Sequence, residues 1–206
     1  DDRLEEIFAE DQRSSRGVFD QLVRIPARGF LTTNYDSTLE DSYSAIHGRS
    51  LRHIGRDGHE LVSQGKVARP FLWKIHGDAS SRTAVISSAD YERIQANGPL
   101  KRNLYSLFAG TTVVFLGYGL TDHDLRTTLE LLALDRMGHG PAHFAFMPDS
   151  LAEGDRLILE DRFGINVIPY QPSQNHQAVT DFVHSLVKRR RPLRELEASA
   201  IGAIYG

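Results

Sequence analysis

Three apolar runs in this chain each end in a polar or glycine-bearing tip, and this pattern constrains the fold more than any other feature. They are Phe30-Leu31-Thr32-Thr33-Asn34-Tyr35-Asp36, Phe71-Leu72-Trp73-Lys74-Ile75-His76-Gly77-Asp78 and Val113-Val114-Phe115-Leu116-Gly117-Tyr118-Gly119-Leu120-Thr121-Asp122. Each run is short, rich in β-branched and aromatic residues, and reads as a strand buried on both faces. In an open parallel sheet, ligands bind beyond the carboxyl ends of the strands. If the three strands are parallel neighbours, Asn34, His76 and the Gly117 loop face one crevice.

Helical patterns fill the intervals. Residues 1–27 are expected to be helical, with Leu4, Ile7 and Phe8 on one face and Phe19, Leu22 and Val23 on another, up to Pro26. Leu39, Tyr43 and Ile46 predict a helix that Asp36 or Ser37 caps. The glycine-dotted stretch 47–69 reads as a hairpin or long loop. A short strand at 83–86 and a capped helix start at 87–90 follow. Leu100, Leu104, Leu107 and Phe108 mark a helix ending at Gly110, and Leu125, Leu129 and Leu132 mark another from about Asp122. Residues 143–147 and 165–170 read as buried strands. Val179, Phe182, Val183, Leu186 and Val187 form a full helical stripe. Such alternation predicts an α/β fold with a mostly parallel sheet flanked by helices.

Composition narrows the function classes. With 206 residues, 40% hydrophobic and 25% charged, the chain has globular proportions. A net charge of -3 argues against a protein built mainly to bind nucleic acid. No apolar run approaches membrane-spanning length. The opening Asp1-Asp2-Arg3-Leu4-Glu5-Glu6 has no signal-peptide core, so cytoplasmic location is the default expectation. Cysteine is absent, which removes disulfides, thiolate nucleophiles and cysteine-ligated zinc. Any metal would need histidine and carboxylate.

Each candidate site residue has a functional and a plain structural reading. His76, between an apolar strand and Gly77, suits a general base near neutral pH, or a histidine hydrogen-bonded at a strand end. Gly77 permits close backbone approach by a ligand. Asp36 is explained by a helix cap alone, whereas Asn34 has less structural reason to be there. Gly117-Tyr118-Gly119 resembles part of a dinucleotide fingerprint, but Asp122 stands where a third glycine belongs. Asp122-His123-Asp124 invites a metal reading that helix caps explain as well. Lys188-Arg189-Arg190-Arg191 reads as a solvated exit from the last helix rather than a nucleic-acid contact.

Together the three tips resemble the sirtuin-like superfamily, and its bacterial zinc-less branch more closely than the protein deacetylases. Thr32-Thr33-Asn34-Tyr35-Asp36 is similar to the family's T-x-N-x-D segment and Lys74-Ile75-His76-Gly77-Asp78 to its catalytic H-G segment. Phe115 to Asp122 is similar to the branch's F-L-G-Y-S-x-x-D, with Gly119 replacing serine. The likeness covers roughly residues 28–187. It divides the chain into a helical N-terminal segment (1–27), a sirtuin-like Rossmann domain (28–187) and a basic tail (188–206).

The resemblance implies a Rossmann-like sheet that binds NAD⁺ as substrate and cleaves its nicotinamide–ribose bond, without metal. By that analogy His76 acts as base on water or a ribose hydroxyl, and Asn34 orients the ribose or the water. Asp36 lies near the nicotinamide amide, Thr33 and Gly77 join it as NAD⁺-binding residues, and Gly117, Tyr118 and Gly119 pass close to the adenosine half. Lacking cysteine, the chain lacks the deacetylases' zinc module, so plain NAD⁺ hydrolysis is expected. Similar zinc-less domains serve as antiphage effectors fused or bound to a sensor module, and a homo-oligomer is expected. The family's opening strand and glycine-rich phosphate loop should precede Arg28, where only Gly17 is found. Two alternatives stay open: a non-catalytic nucleotide-binding or assembly module of the same fold, and a metal-dependent hydrolase using His76, Asp78, Asp122 and His123.

Overall fold

The computed structural model describes residues 17–63, 70–77, 98–117, 123–137, 139–172 and 177–188. Its strands are β1 (Gly29–Thr32), β2 (Arg52–Ile54), β3 (Phe71–Lys74), β4 (Val114–Leu116), β5 (His143–Pro148) and β6 (Ile165–Tyr170). Its helices are α1 (17–22), α2 (Thr38–His47), α3 (His59–Ser63), α4 (Gly98–Gly110), α5 (His123–Arg136), α6 (Glu153–Leu157) and α7 (Gln177–Lys188), with a π-helical turn at Ile158–Arg162. The strands form two three-stranded sheets, ordered β1-β3-β2 and β4-β5-β6, and every pairing is parallel. This is the expected α/β, Rossmann-like class.

Strand β3 shows how the layers arise. All four of its residues are buried, and successive side chains point to opposite faces. Phe71, Trp73 and Ile75 enter one apolar cluster, joined by Leu100, Leu104 and Phe108 of α4 and Leu125, Leu129 and Leu132 of α5. Phe115, Ala145, Met147 and Ile165 of the second sheet reach the same cluster. Leu72 points the other way, into a cluster with Phe30, Leu39, Tyr43 and Val23 beneath α1 and α2. Phe146 does the same in the second sheet, stacked on Phe182 of α7 with ring centroids 4.3 Å apart. Helices therefore cover both faces of each sheet. In α4 the buried residues Leu100, Asn103, Leu104 and Phe108 follow the helical period, and Pro99 occupies the first turn, where its missing N–H costs nothing.

Two expectations need correction. The described part of stretch 47–69 is not a hairpin: β2 pairs parallel to β3, from Arg52↔Phe71 to Ile54↔Trp73, and α3 follows it. Three residues are too few for a readable period. Nor are all three tip-bearing strands buried on both faces. Only β3 is; β1 and β4 each end their sheet, and Val114 is 42% exposed. The expected strand at 83–86 and the helix start at 87–90 lie outside the described residues.

At the amino end of β5, a latch ties the second sheet to its helices. Arg136 of α5 donates to the carbonyls of Phe108 and Pro141, the latter at 2.9 Å, and its Nη1 lies 3.2 Å from His143 Nε2. The Val113 amide donates to His143 Nδ1 at 3.3 Å. Burial first, and the adjacent Arg136 charge second, lower the His143 pKa to about 4.

Candidate active site

Strands β1 and β3 are direct neighbours in parallel register, from Gly29↔Phe71 to Thr32↔Lys74. The Ile75 amide extends the pairing by donating to the Thr32 carbonyl at 3.1 Å. Asn34 and His76 each lie two residues past the Thr32↔Lys74 pair. The register therefore brings both tips to the same end of the sheet. The Tyr35 and His76 rings confirm the approach, with centroids 6.4 Å apart.

Local chemistry shapes each tip. Beyond β1, the Asn34 amide donates to Thr32 Oγ1 at 3.0 Å, so the turn is held by the threonine and the exposed Asn34 carboxamide is not spent on it. Thr33 is half-buried beside it. Asp36 takes its plain structural role with one oxygen: Oδ1 accepts from the Thr38 amide at 2.9 Å and starts α2. Ser37, the residue at the cap position, makes no side-chain cap bond and donates instead to Asp41 Oδ2 at 3.0 Å. Beyond β3 the chain turns at once, with the Gly77 amide donating to the Lys74 carbonyl at 3.2 Å. Gly77 has φ +88° and is buried, a conformation that favours glycine, and half-buried His76 is presented on that turn.

The third tip stands apart in hydrogen bonding. Strand β4 pairs with β5 in the second sheet and is not a ladder neighbour of β1 or β3. It is parallel to its own neighbours, and Gly117 leaves its carboxyl end at φ +61°, where no atom of the described residues would meet a Cβ. Tyr118 and Gly119 lie outside the described residues. So do Asp78 and Asp122 of the metal reading, and the His123 side chain is not described. No group of three or more histidines and carboxylates placed to hold a metal occurs among the described residues.

One ionic feature of the site is absent from the sequence reading. Lys74, 6% exposed, shares the face of Leu72 and points toward α2. Its Nζ lies 2.6 Å from Glu40 Oε1 and donates to the Asp36 carbonyl at 2.7 Å. Among the described residues, Glu40 Oε2 is buried without a hydrogen-bond partner. A lone lysine inside an otherwise apolar run was the available signal.

Residues 28–168 match the SIR2-like domain family, more than half of the chain. The chain belongs to that family. Over 171 residues it is 27% identical to a Bacillus subtilis protein named defense-associated sirtuin 2, an alignment covering 80% of this chain and 16% of that protein. It is 24% identical over 198 residues to the NAD(+) hydrolase ThsA of Enterococcus faecium, covering 82% of this chain and 39% of the relative. It is 28% identical over 134 residues to the NAD(+) hydrolase ThsA of Cytobacillus dafuensis, covering 61% and 25%. The chain thus spans well under half the length of these relatives.

Proposed function

We propose that this chain carries an NAD⁺ glycohydrolase domain that cleaves the nicotinamide–ribose bond and serves as the effector of a bacterial antiphage system. The observation that carries the reading is the β1–β3 register, which sets Asn34 and His76 at one end of one sheet. The names of the relatives, a defense-associated sirtuin and NAD(+) hydrolases, agree with it.

In this reading the bond from ribose C1′ to the nicotinamide nitrogen breaks with its electron pair going to the ring, and nicotinamide leaves neutral. The sugar develops oxocarbenium character. Water adds to C1′ and its proton passes to His76, giving ADP-ribose, nicotinamide and one released proton. A histidine imidazole is the side chain suited to that transfer. The Asn34 carboxamide orients the ribose or the attacking water, a fixed dipole that needs no reorganisation as charge develops. Asp36 has one oxygen engaged at the helix start, which leaves the other for the nicotinamide amide. Thr33 and Gly77 border that side, and Gly117, Tyr118 and Gly119 serve the adenosine half.

The test is product analysis. The intact protein, activated as its system requires, is incubated with NAD⁺ in excess chelator, and nicotinamide and ADP-ribose are separated chromatographically. Equimolar release of both is expected. Binding of NAD⁺ without turnover would favour the nucleotide-binding module instead. Activity lost in chelator and restored by a divalent ion would favour the metal-dependent hydrolase.

A further inference from the structure

We infer that Lys74 and Glu40 are positioning residues that set the spacing between the Asn34 and His76 tips; the inference rests on the glycohydrolase reading of that site. The two tips come from separate strands and lie beyond the Thr32↔Lys74 pair and the Ile75–Thr32 backbone bond. Lys74 links one tip to the other. It belongs to the His76-bearing strand, and its Nζ donates to the carbonyl of Asp36, two residues past Asn34. Glu40, in the first turn of α2, holds the ammonium from the other side at 2.6 Å. Thr38, the first residue of α2, is fastened to the same loop through Asp36 Oδ1. The helix, the loop and the catalytic strand are thereby joined at one buried cation.

Stability does not account for this arrangement. A buried ion pair generally recovers no more than its desolvation cost, and apolar replacements of similar volume are often as stable. Here the cost is raised by Glu40 Oε2, which is buried without a hydrogen-bond partner among the described residues. What an apolar pair could not supply is a donor aimed at the Asp36 carbonyl. That donor fixes the peptide orientation of the loop from which the Asn34 amide must reach the reacting sugar. A misplacement of about 1 Å in such a group costs on the order of 100-fold in rate.

Three variants of the intact protein test the inference: Lys74→Met, Glu40→Leu and the double replacement. Each is followed by NAD⁺ turnover, thermal melting and amide hydrogen exchange. The single replacements each strand one buried charge and are expected to lower the melting temperature. The double replacement removes both charges and is expected to restore the melting temperature, yet to leave kcat about 10–100-fold below the parent with KM changed less than about 3-fold. Exchange at the Thr38 and Ile75 amides should quicken about tenfold in the double variant, while the amides of β5 and β6 stay as in the parent. Recovery of kcat together with the melting temperature would show the pair to be structural and overturn the inference. Unchanged exchange at Thr38 would overturn it whatever the turnover. A parent protein that does not cleave NAD⁺ at all, with exchange in the double variant altered as expected, would sink the glycohydrolase reading and leave the loop clamp standing.

Discussion

His76 is presented on a tight turn, half-buried, with its following glycine at φ +88°. Its side chain is therefore outside the main apolar clusters, and His76→Ala should leave folding nearly unchanged. NAD⁺ cleavage should fall by about two to four orders of magnitude, the usual share of a general base. A mutant with parental turnover would remove His76 from the catalytic role. For Asn34 the geometry sharpens the test. Thr32 Oγ1, not the Asn34 side chain, satisfies the turn. Asn34→Ala should then cost about 100-fold in turnover, as the loss of a positioned polar group does, with NAD⁺ affinity and melting temperature kept. A drop in melting temperature with turnover intact would make Asn34 a turn residue only. The placement of both residues at strand tips was legible, because a polar group that follows a short apolar run is conspicuous against its neighbours. The Lys74–Glu40 pair was not, because its partners sit on different elements and only the β1–β3 register brings them together.

Among the elements, legibility followed length. Helices α4, α5 and α7 repeat their apolar period over three or more turns, and each was found near its observed bounds. Strand β2 has three residues and α6 five, too short to show any period, and both were missed. Edge position was equally hidden: the apolar run of β4 matched a buried strand, yet among the described residues β4 ends its sheet and Val114 is exposed. The loop between β2 and α3 illustrates what a short element can still fix. Gly58 has φ +71°, and a Cβ on it would stand 2.6 Å from Trp73 Cζ2. Trp73 cannot easily yield, since it is fully buried and its Nε1 donates to the Arg56 carbonyl at 3.1 Å. Gly58→Ala therefore combines left-handed strain with overpacking and should destabilise the protein by about 2–5 kcal/mol. Chemical denaturation would show it as a lowered midpoint at constant slope. A midpoint within error of the parent would mean that the loop relaxes away from Trp73 at little cost.

For the molecule as a whole, alternation of strand and helix correctly announced a parallel α/β fold, but not the division into two hydrogen-bonded sheets. Strand order depends on which edges meet, and that is decided by packing across the chain rather than by any local pattern. The same limit hid His143, which reads as the start of a strand and proves to be the hub of the latch that ties β5 to α5. Its position gives the molecule a specific response to acid. Buried beside Arg136, His143 has its pKa lowered from the ordinary 6.5 to about 4, so the folded state keeps it neutral where the unfolded chain would protonate it. Between those two values the unfolded state binds more protons, and stability must rise with pH. The contribution is complete above the unfolded pKa and is lost as pH falls toward about 4, with a ceiling of about 3 kcal/mol. Replacing His143 with glutamine, which offers a neutral amide of similar reach, should flatten that part of the stability profile. The measurement is the denaturation midpoint of parent and His143→Gln from pH 7 down to pH 4. The parent midpoint should fall steadily relative to that of the variant as acidity increases, whereas parallel curves would assign the acid sensitivity to other groups. The latch lies at the amino end of β5, away from the carboxyl strand ends, so its loss in acid should appear as unfolding rather than as an altered pH dependence of the chemistry proposed at His76.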